Sequence, residues 1–127
     1  MLITIPLAPI TKKNHNQIVY ANGRPLVVPS KEYKKYEKDC AAFIDMVPFS
    51  TFDCPINVKC VYYMPTRRRV DLVNLQEATL DVLVKYGVIL DDNSNIVASM
   101  DGSRVLYSKE FPRTEIEITE IGEDYNE

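Results

Sequence analysis

The segment Pro55-Ile-Asn-Val-Lys-Cys-Val-Tyr-Tyr63 constrains the fold more than any other. It is rich in β-branched and aromatic residues, which pack best on a pleated, buried surface, so it reads as a central strand. A segment of helical period lies on each side of it. The first runs from Lys31 to about Met46. Ser30 is placed to cap it, because a serine hydroxyl accepts from the free amides of the first turn. Its apolar positions are Tyr33, Tyr36, Cys40, Phe43, Ile44 and Val47, and Lys31, Lys34, Lys35 and Lys38 mark the opposite face. The second starts near Asp71 and ends at Gly87, a natural left-handed residue past a helix end. Leu72, Leu75, Thr79, Val82, Leu83 and Tyr86 form its buried stripe.

Shorter strands complete the order. Leu2–Ile5 is stopped by Pro6. Ile18–Ala21 and Pro25–Val28 flank Asn22-Gly23, a pair that tolerates positive φ at both turn positions and so marks a hairpin. Pro25 puts that hairpin at an exposed edge. Ile96–Met100, Val105–Ser108 and Thr114–Ile121 follow the second helix. The last alternates, with Ile116 and Ile118 inward and Glu115 and Glu117 outward. The order β-β-β-α-β-α-β-β-β predicts an α+β fold, with a mixed or antiparallel β-sheet and two main helices packed on one face. Tyr20, Tyr62 and Tyr63 have faces on which bases stack, but tyrosines flanked by valine are read here as core.

The chain has 127 residues, 46% of them apolar. That is one domain, expected over residues 1–121, with a solvated acidic tail over 122–127. The amino-terminal residues lack the basic and long apolar regions of a signal peptide, and no apolar run could span a bilayer. The expectation is a soluble cytoplasmic domain with no membrane partner. Cys40, Cys54 and Cys60 form no C-x-x-C pair and His15 is the one histidine, which argues against a zinc site. Free, mostly buried thiols and a solvated loop histidine are expected instead.

Net charge is −3, but it is unevenly spread. Residues 1–69 hold 11 Lys/Arg against 5 Asp/Glu, and residues 70–127 hold 4 against 13. Such asymmetry hints at a polyanionic partner. The junction of the two halves is the informative stretch, Arg67-Arg68-Arg69 followed by Asp71, Asn74, Glu77 and Asp81, then Asp91-Asp92. At about 100° per residue the four helical positions share one sector. One reading makes Asp71 a helix-start acid and the rest a solvated face. Another follows from the adjacent Asp91 and Asp92, which repel unless solvated or neutralised by a cation. Mg²⁺ takes oxygen ligands, typically one or two carboxylates. Carboxylates beside arginines suit phosphodiester hydrolysis, with arginines on the phosphates and metal at the water and leaving oxygen.

The combined pattern Arg-Arg-x-Asp-Leu-x-Asn-Leu-x-x-x-x-x-Asp-x-Leu, then a Gly and Leu-Asp-Asp before an Ile/Val strand, resembles the RusA family of Holliday junction resolvases, frequent in phages and prophages. The amino-terminal half is similar too, with a strand ending in proline, a Lys-Lys-Asn-His-Asn loop, a hairpin and a Tyr-containing helix opening near Ser30. The resemblance implies a small homodimer that binds four-way junctions or other branched DNA and nicks two opposed strands symmetrically. It implies dependence on Mg²⁺ or Mn²⁺ and no organic cofactor, in a bacterial or phage-infected cell. By position, Asp71 and Asp92 would be metal-binding acids, with Asp91 beside Asp92. Asn74 and Asp81 would support the site. Arg67, Arg68, Arg69, Lys12, Lys13 and Asn14 would contact the DNA.

The chain departs from the family pattern twice. Val73 stands where many members have a further aspartate, and Glu77 where a lysine usually follows the asparagine. Either Glu77 is a replacement catalytic carboxylate, or the site is weakened and the protein is a junction-binding module. A protein-interaction domain with no nucleic acid partner is a third reading, in which Arg67–Arg69 is only a solvated turn.

Overall fold

The computed structural model of the chain describes residues 1–12 and 16–122. The expectations for Lys13, Asn14, His15 and tail residues 123–127 lie outside the described residues. The elements are β1 (Leu2–Ile5), β2 (Asn16–Ala21), β3 (Arg24–Pro29), α1 (Lys31–Asp45), β4 (Ile56–Met64), α2 (Leu72–Lys85), β5 (Val97–Ser99), β6 (Arg104–Tyr107) and β7 (Arg113–Glu120). Their order is the one read from the sequence, with ends shifted by a residue or two. Among the described residues no helix is long and apolar enough to cross a membrane.

The sheet is mixed. β7 lies between β1 and β4 and is antiparallel to both. The other edge of β4 is shared by β5 near its start and β6 near its end, both parallel to it. β4 is therefore the central strand. Its even-numbered side chains Ile56, Val58, Cys60 and Tyr62 line one face with Ile3, Ile5, Ile116 and Ile118. Cys40 and Ile44 of α1 and Leu75, Val82 and Leu83 of α2 join the same apolar cluster, so both helices cover that face. The opposite face carries Lys59 in register with Glu117. This is the expected α+β arrangement.

Local signals explain the helix ends. The Ser30 hydroxyl accepts from the Tyr33 amide at 3.2 Å. Gly87 takes φ 74° just past α2, and its amide donates to the Val84 carbonyl at 3.1 Å. α2 is also pinned to the sheet by a buried relay. The Thr79 hydroxyl donates to the Leu75 carbonyl, and its oxygen lies 2.7 Å from the Tyr62 hydroxyl. The Thr79 proton is committed, so Tyr62 donates. At its far end α2 meets α1 through the Lys85–Glu37 ion pair and a Tyr86 hydroxyl bond to the Glu37 carbonyl at 2.8 Å.

β2 and β3 form a separate two-stranded sheet, turned at Asn22 and Gly23 with φ 53° and 75°. This corrects one expectation. Tyr20 is 75% exposed, because its hairpin stands outside the sheet that supplies the core. Tyr62 is buried as expected, and Tyr63 is half-buried beneath the Arg113 guanidinium, 3.6 Å from the ring centre. The three cysteines are free thiols, Cys40 and Cys60 buried and Cys54 half-buried. Burial pushes the Cys40 and Cys60 thiols up to about 12.

Candidate active site

The loop leaving β4 carries the three arginines, all exposed. Apolar Met64 and Val70 seat its two ends against the core, and that leaves the charged residues between them in solvent. The Arg67 guanidinium sits 4.2 Å above the Tyr107 ring of β6, a cation–π contact that fixes its direction. Arg68 and Arg69 face a cleft of about 510 Å³, walled on one side by Met64–Thr66 and Val70 and on the other by Pro9, Ile10 and Thr11. A second groove of about 330 Å³ runs between Arg67, Arg68 and Tyr107. Arg68 thus borders both.

One residue past the cleft wall, Asp71 takes the N-cap position of α2 in extended conformation. Its backbone carbonyl accepts from the Asn74 and Leu75 amides at 3.1 and 3.2 Å. Its carboxylate makes no cap hydrogen bond. Instead Oδ2 accepts from the Asn74 side-chain amide at 3.3 Å, which turns the carboxylate along the polar sector of the helix. Val73 is 69% exposed and brings no oxygen to that surface. Glu77 is exposed one turn on. Asp81 lies a further turn on, its Oδ2 3.4 Å from the Lys12 ammonium. Lys12, expected on DNA phosphates, is therefore held at the acidic sector by a carboxylate of α2.

Asp91 and Asp92 sit in the connector after Leu90, whose amide donates to the Phe52 carbonyl at 2.9 Å. The Asp92 amide donates to Asp91 Oδ1 at 2.7 Å. That bond holds the Asp91 carboxyl below its ordinary range. Asp92 is pushed the other way, first by its hydrogen bond with the Asp91 carboxyl, then by partial desolvation and the charges of Asp91 and Asp81. Among the described residues, no three His, Cys, Asp or Glu side chains are gathered as a metal cage. Mg²⁺ needs none, since it is usually held by one or two carboxylates with water and substrate phosphate completing its shell. The donors present are all carboxylate oxygens, a hard set suited to that ion.

Two features escaped the sequence. Tyr107 under Arg67, and Arg113 stacked on Tyr63, are pairs made by residues distant in the chain, and Arg113 also lies 4.7 Å from the ring of nearby Phe111. Arg113 is also bound to Glu115 at 3.1 Å. No local spacing signals either.

A family model described as endodeoxyribonuclease RusA matches residues 6–119. The chain is 32% identical over 125 residues to the crossover junction endodeoxyribonuclease RusA of Escherichia coli (strain K12), covering 96% of each chain. It is 32% identical over 126 residues to that of Enterobacteria phage 82, and 31% over 125 residues to that of Shigella sonnei (strain Ss046), with the same coverage.

Proposed function

The chain belongs to the RusA family of endodeoxyribonucleases, and from that premise we propose that it resolves Holliday junctions and related branched DNA by metal-dependent, paired, symmetric nicks. The observation that carries the reading is the Asp71 carboxylate, bonded to no backbone amide of the first turn, oriented by Asn74 and presented one residue past an arginine-bordered cleft.

In this reading Arg67, Arg68 and Arg69 hold phosphates of the incoming strand, with bidentate geometry available to each guanidinium. Asp71 and Asp92, with Asp91 shaping the turn beside Asp92, hold Mg²⁺ or Mn²⁺. When bound, that ion supplies Lewis acidity at the phosphoryl oxygen and a water of lowered pKa. Asn74 keeps the Asp71 carboxylate oriented, and Glu77 adds a longer carboxylate in the same sector. Water attacks phosphorus and the P–O3′ bond breaks, leaving a 3′-hydroxyl and a 5′-phosphate. Paired cuts in a substrate of near two-fold symmetry need paired sites, so the working form is a homodimer.

The test is cleavage of a labelled four-way junction with and without Mg²⁺ or Mn²⁺, comparing wild type with Asp71→Asn and Asp92→Asn. Paired, metal-dependent nicks lost in both variants support the proposal. Tight junction binding with no cleavage under either metal replaces it with the binding-module reading, the site disabled at Val73 and Glu77.

A further inference from the structure

We infer that Lys12 serves the reaction itself, as the ammonium that meets the scissile phosphate, and that Asp81 is the positioning residue that holds it there beforehand. The inference rests on the nuclease reading above and assigns Lys12 a place within it that a general backbone contact would not have.

The first argument is placement. Pro9 and Thr11 are buried, Thr11 at 3% exposure, so the segment leading to Lys12 is fixed rather than loose. Pro9–Thr11 form one wall of the 510 Å³ cleft, and Arg68, Arg69 and Val70 border it opposite. The next residue along the first wall is Lys12, and the next along the second is Asp71. A strand whose phosphates lie on Arg68 and Arg69 is thus led toward the polar sector of α2, where Lys12 meets Asp81.

The second argument is charge. α2 carries Glu77 and Asp81 beyond its Asp71 cap, and no cation before Lys85. Lys85 is engaged with Glu37 of α1. A phosphodiester entering this field is repelled, and repelled further as its oxygens gain charge in the transition state. Lys12 brings a positive charge to the sector from outside the helix. An interaction that strengthens as charge develops accelerates the chemical step rather than binding.

The third argument is the nature of the Lys12–Asp81 pair. At 3.4 Å it is longer than the roughly 2.7–2.9 Å of a strong charge-assisted bond, and the side chains are 44% and 32% exposed. Such pairs add little stability. Asp81 therefore keeps the ammonium at the sector yet releases it readily to a phosphate oxygen.

The experiment measures the single-turnover cleavage rate of a four-way junction at saturating protein, beside junction affinity and its salt dependence without divalent ion. Wild type is compared with Lys12→Ala, Lys12→Arg, Asp81→Asn and the Lys12→Ala/Asp81→Asn double variant. Lys12→Ala should lower the saturated rate by about 10²-fold, the scale for losing a transition-state donor, with affinity changed less than about threefold. Lys12→Arg should recover part of the rate. Asp81→Asn should lower the rate severalfold, with no further loss in the Lys12→Ala background. A Lys12→Ala protein that cleaves at the full saturated rate but binds more weakly, with a salt slope shallower by about one, overturns the inference and leaves the nuclease reading intact. Additive losses in the double variant overturn the role of Asp81. No cleavage by wild type overturns the nuclease reading and this inference together.

Discussion

Asp71 starts α2 without capping it, and Asn74 takes the carboxylate instead. Removing that partner should loosen the acid rather than the helix. On the metal-holding role proposed for Asp71, Asn74→Ala is expected to raise the Mg²⁺ concentration for half-maximal cleavage by about 10- to 100-fold, the usual cost of losing a partner to a metal ligand. The melting temperature should change little, since Asp71 is exposed and Asn74 half-buried. A metal titration beside a thermal melt separates the two effects. The helical wheel already put Asp71, Asn74, Glu77 and Asp81 in one sector, and the Asp71–Asn74 bond follows from that spacing. Which charge meets Asp81 was not legible, because Lys12 arrives from the amino-terminal loop and no periodicity links the two. The thiols behave as residue-scale probes. Cys40 and Cys60 are buried with their thiols pushed up to about 12, so almost no thiolate exists near pH 8. Iodoacetamide at that pH should label Cys54 first and reach the other two only in denaturant, as read by peptide mass spectrometry.

Elements follow from sequence where the signal is local. Ser30, the Asn22-Gly23 turn and Gly87 each do what their chemistry predicts. The pairing of the strands was less visible. β5 and β6 share one edge of β4 because the chain between them turns at Gly102 (φ 88°), and nothing in either short strand names its partner. Gly87→Ala tests the C-terminal signal. A Cβ there would meet only the Thr51 hydroxyl, at 4.0 Å, so the cost is conformational, about 1–2 kcal/mol, and a melt should show it as a few degrees. The relay between α2 and β4 tests the packing of the helix. Thr79→Val leaves the Tyr62 hydroxyl buried without its acceptor and should cost about 1–3 kcal/mol. Tyr62→Phe keeps the Thr79 bond to the Leu75 carbonyl and should cost about 1 kcal/mol. The double variant should lose less than the sum, measured by urea denaturation, because the unpaired hydroxyl is gone.

For the molecule as a whole, the buried acids of the core set an alkaline limit. Burial raises the Tyr33, Tyr36 and Tyr62 hydroxyls above their ordinary range along with the two thiols. The folded state keeps these protons after the unfolded chain has released them. Stability is therefore intact below the unfolded thiol range of about 8.5 and declines as pH rises beyond it. Urea midpoints measured from pH 7 to 10.5 should fall across the upper half of that range. A flat profile would mean that these groups are wetter than the fold makes them. One feature of the sheet has a different reach, into how the chain is made. Among the described residues β1 pairs with β7 alone, and β7 also closes one whole edge of β4. β1 must therefore wait for β7, and β4, though β5 and β6 can pair along one of its edges earlier, waits with its other edge open. The sheet cannot close until residues 113–120 emerge, so until then the nascent chain carries open strand edges, exposed to aggregation and to chaperone capture.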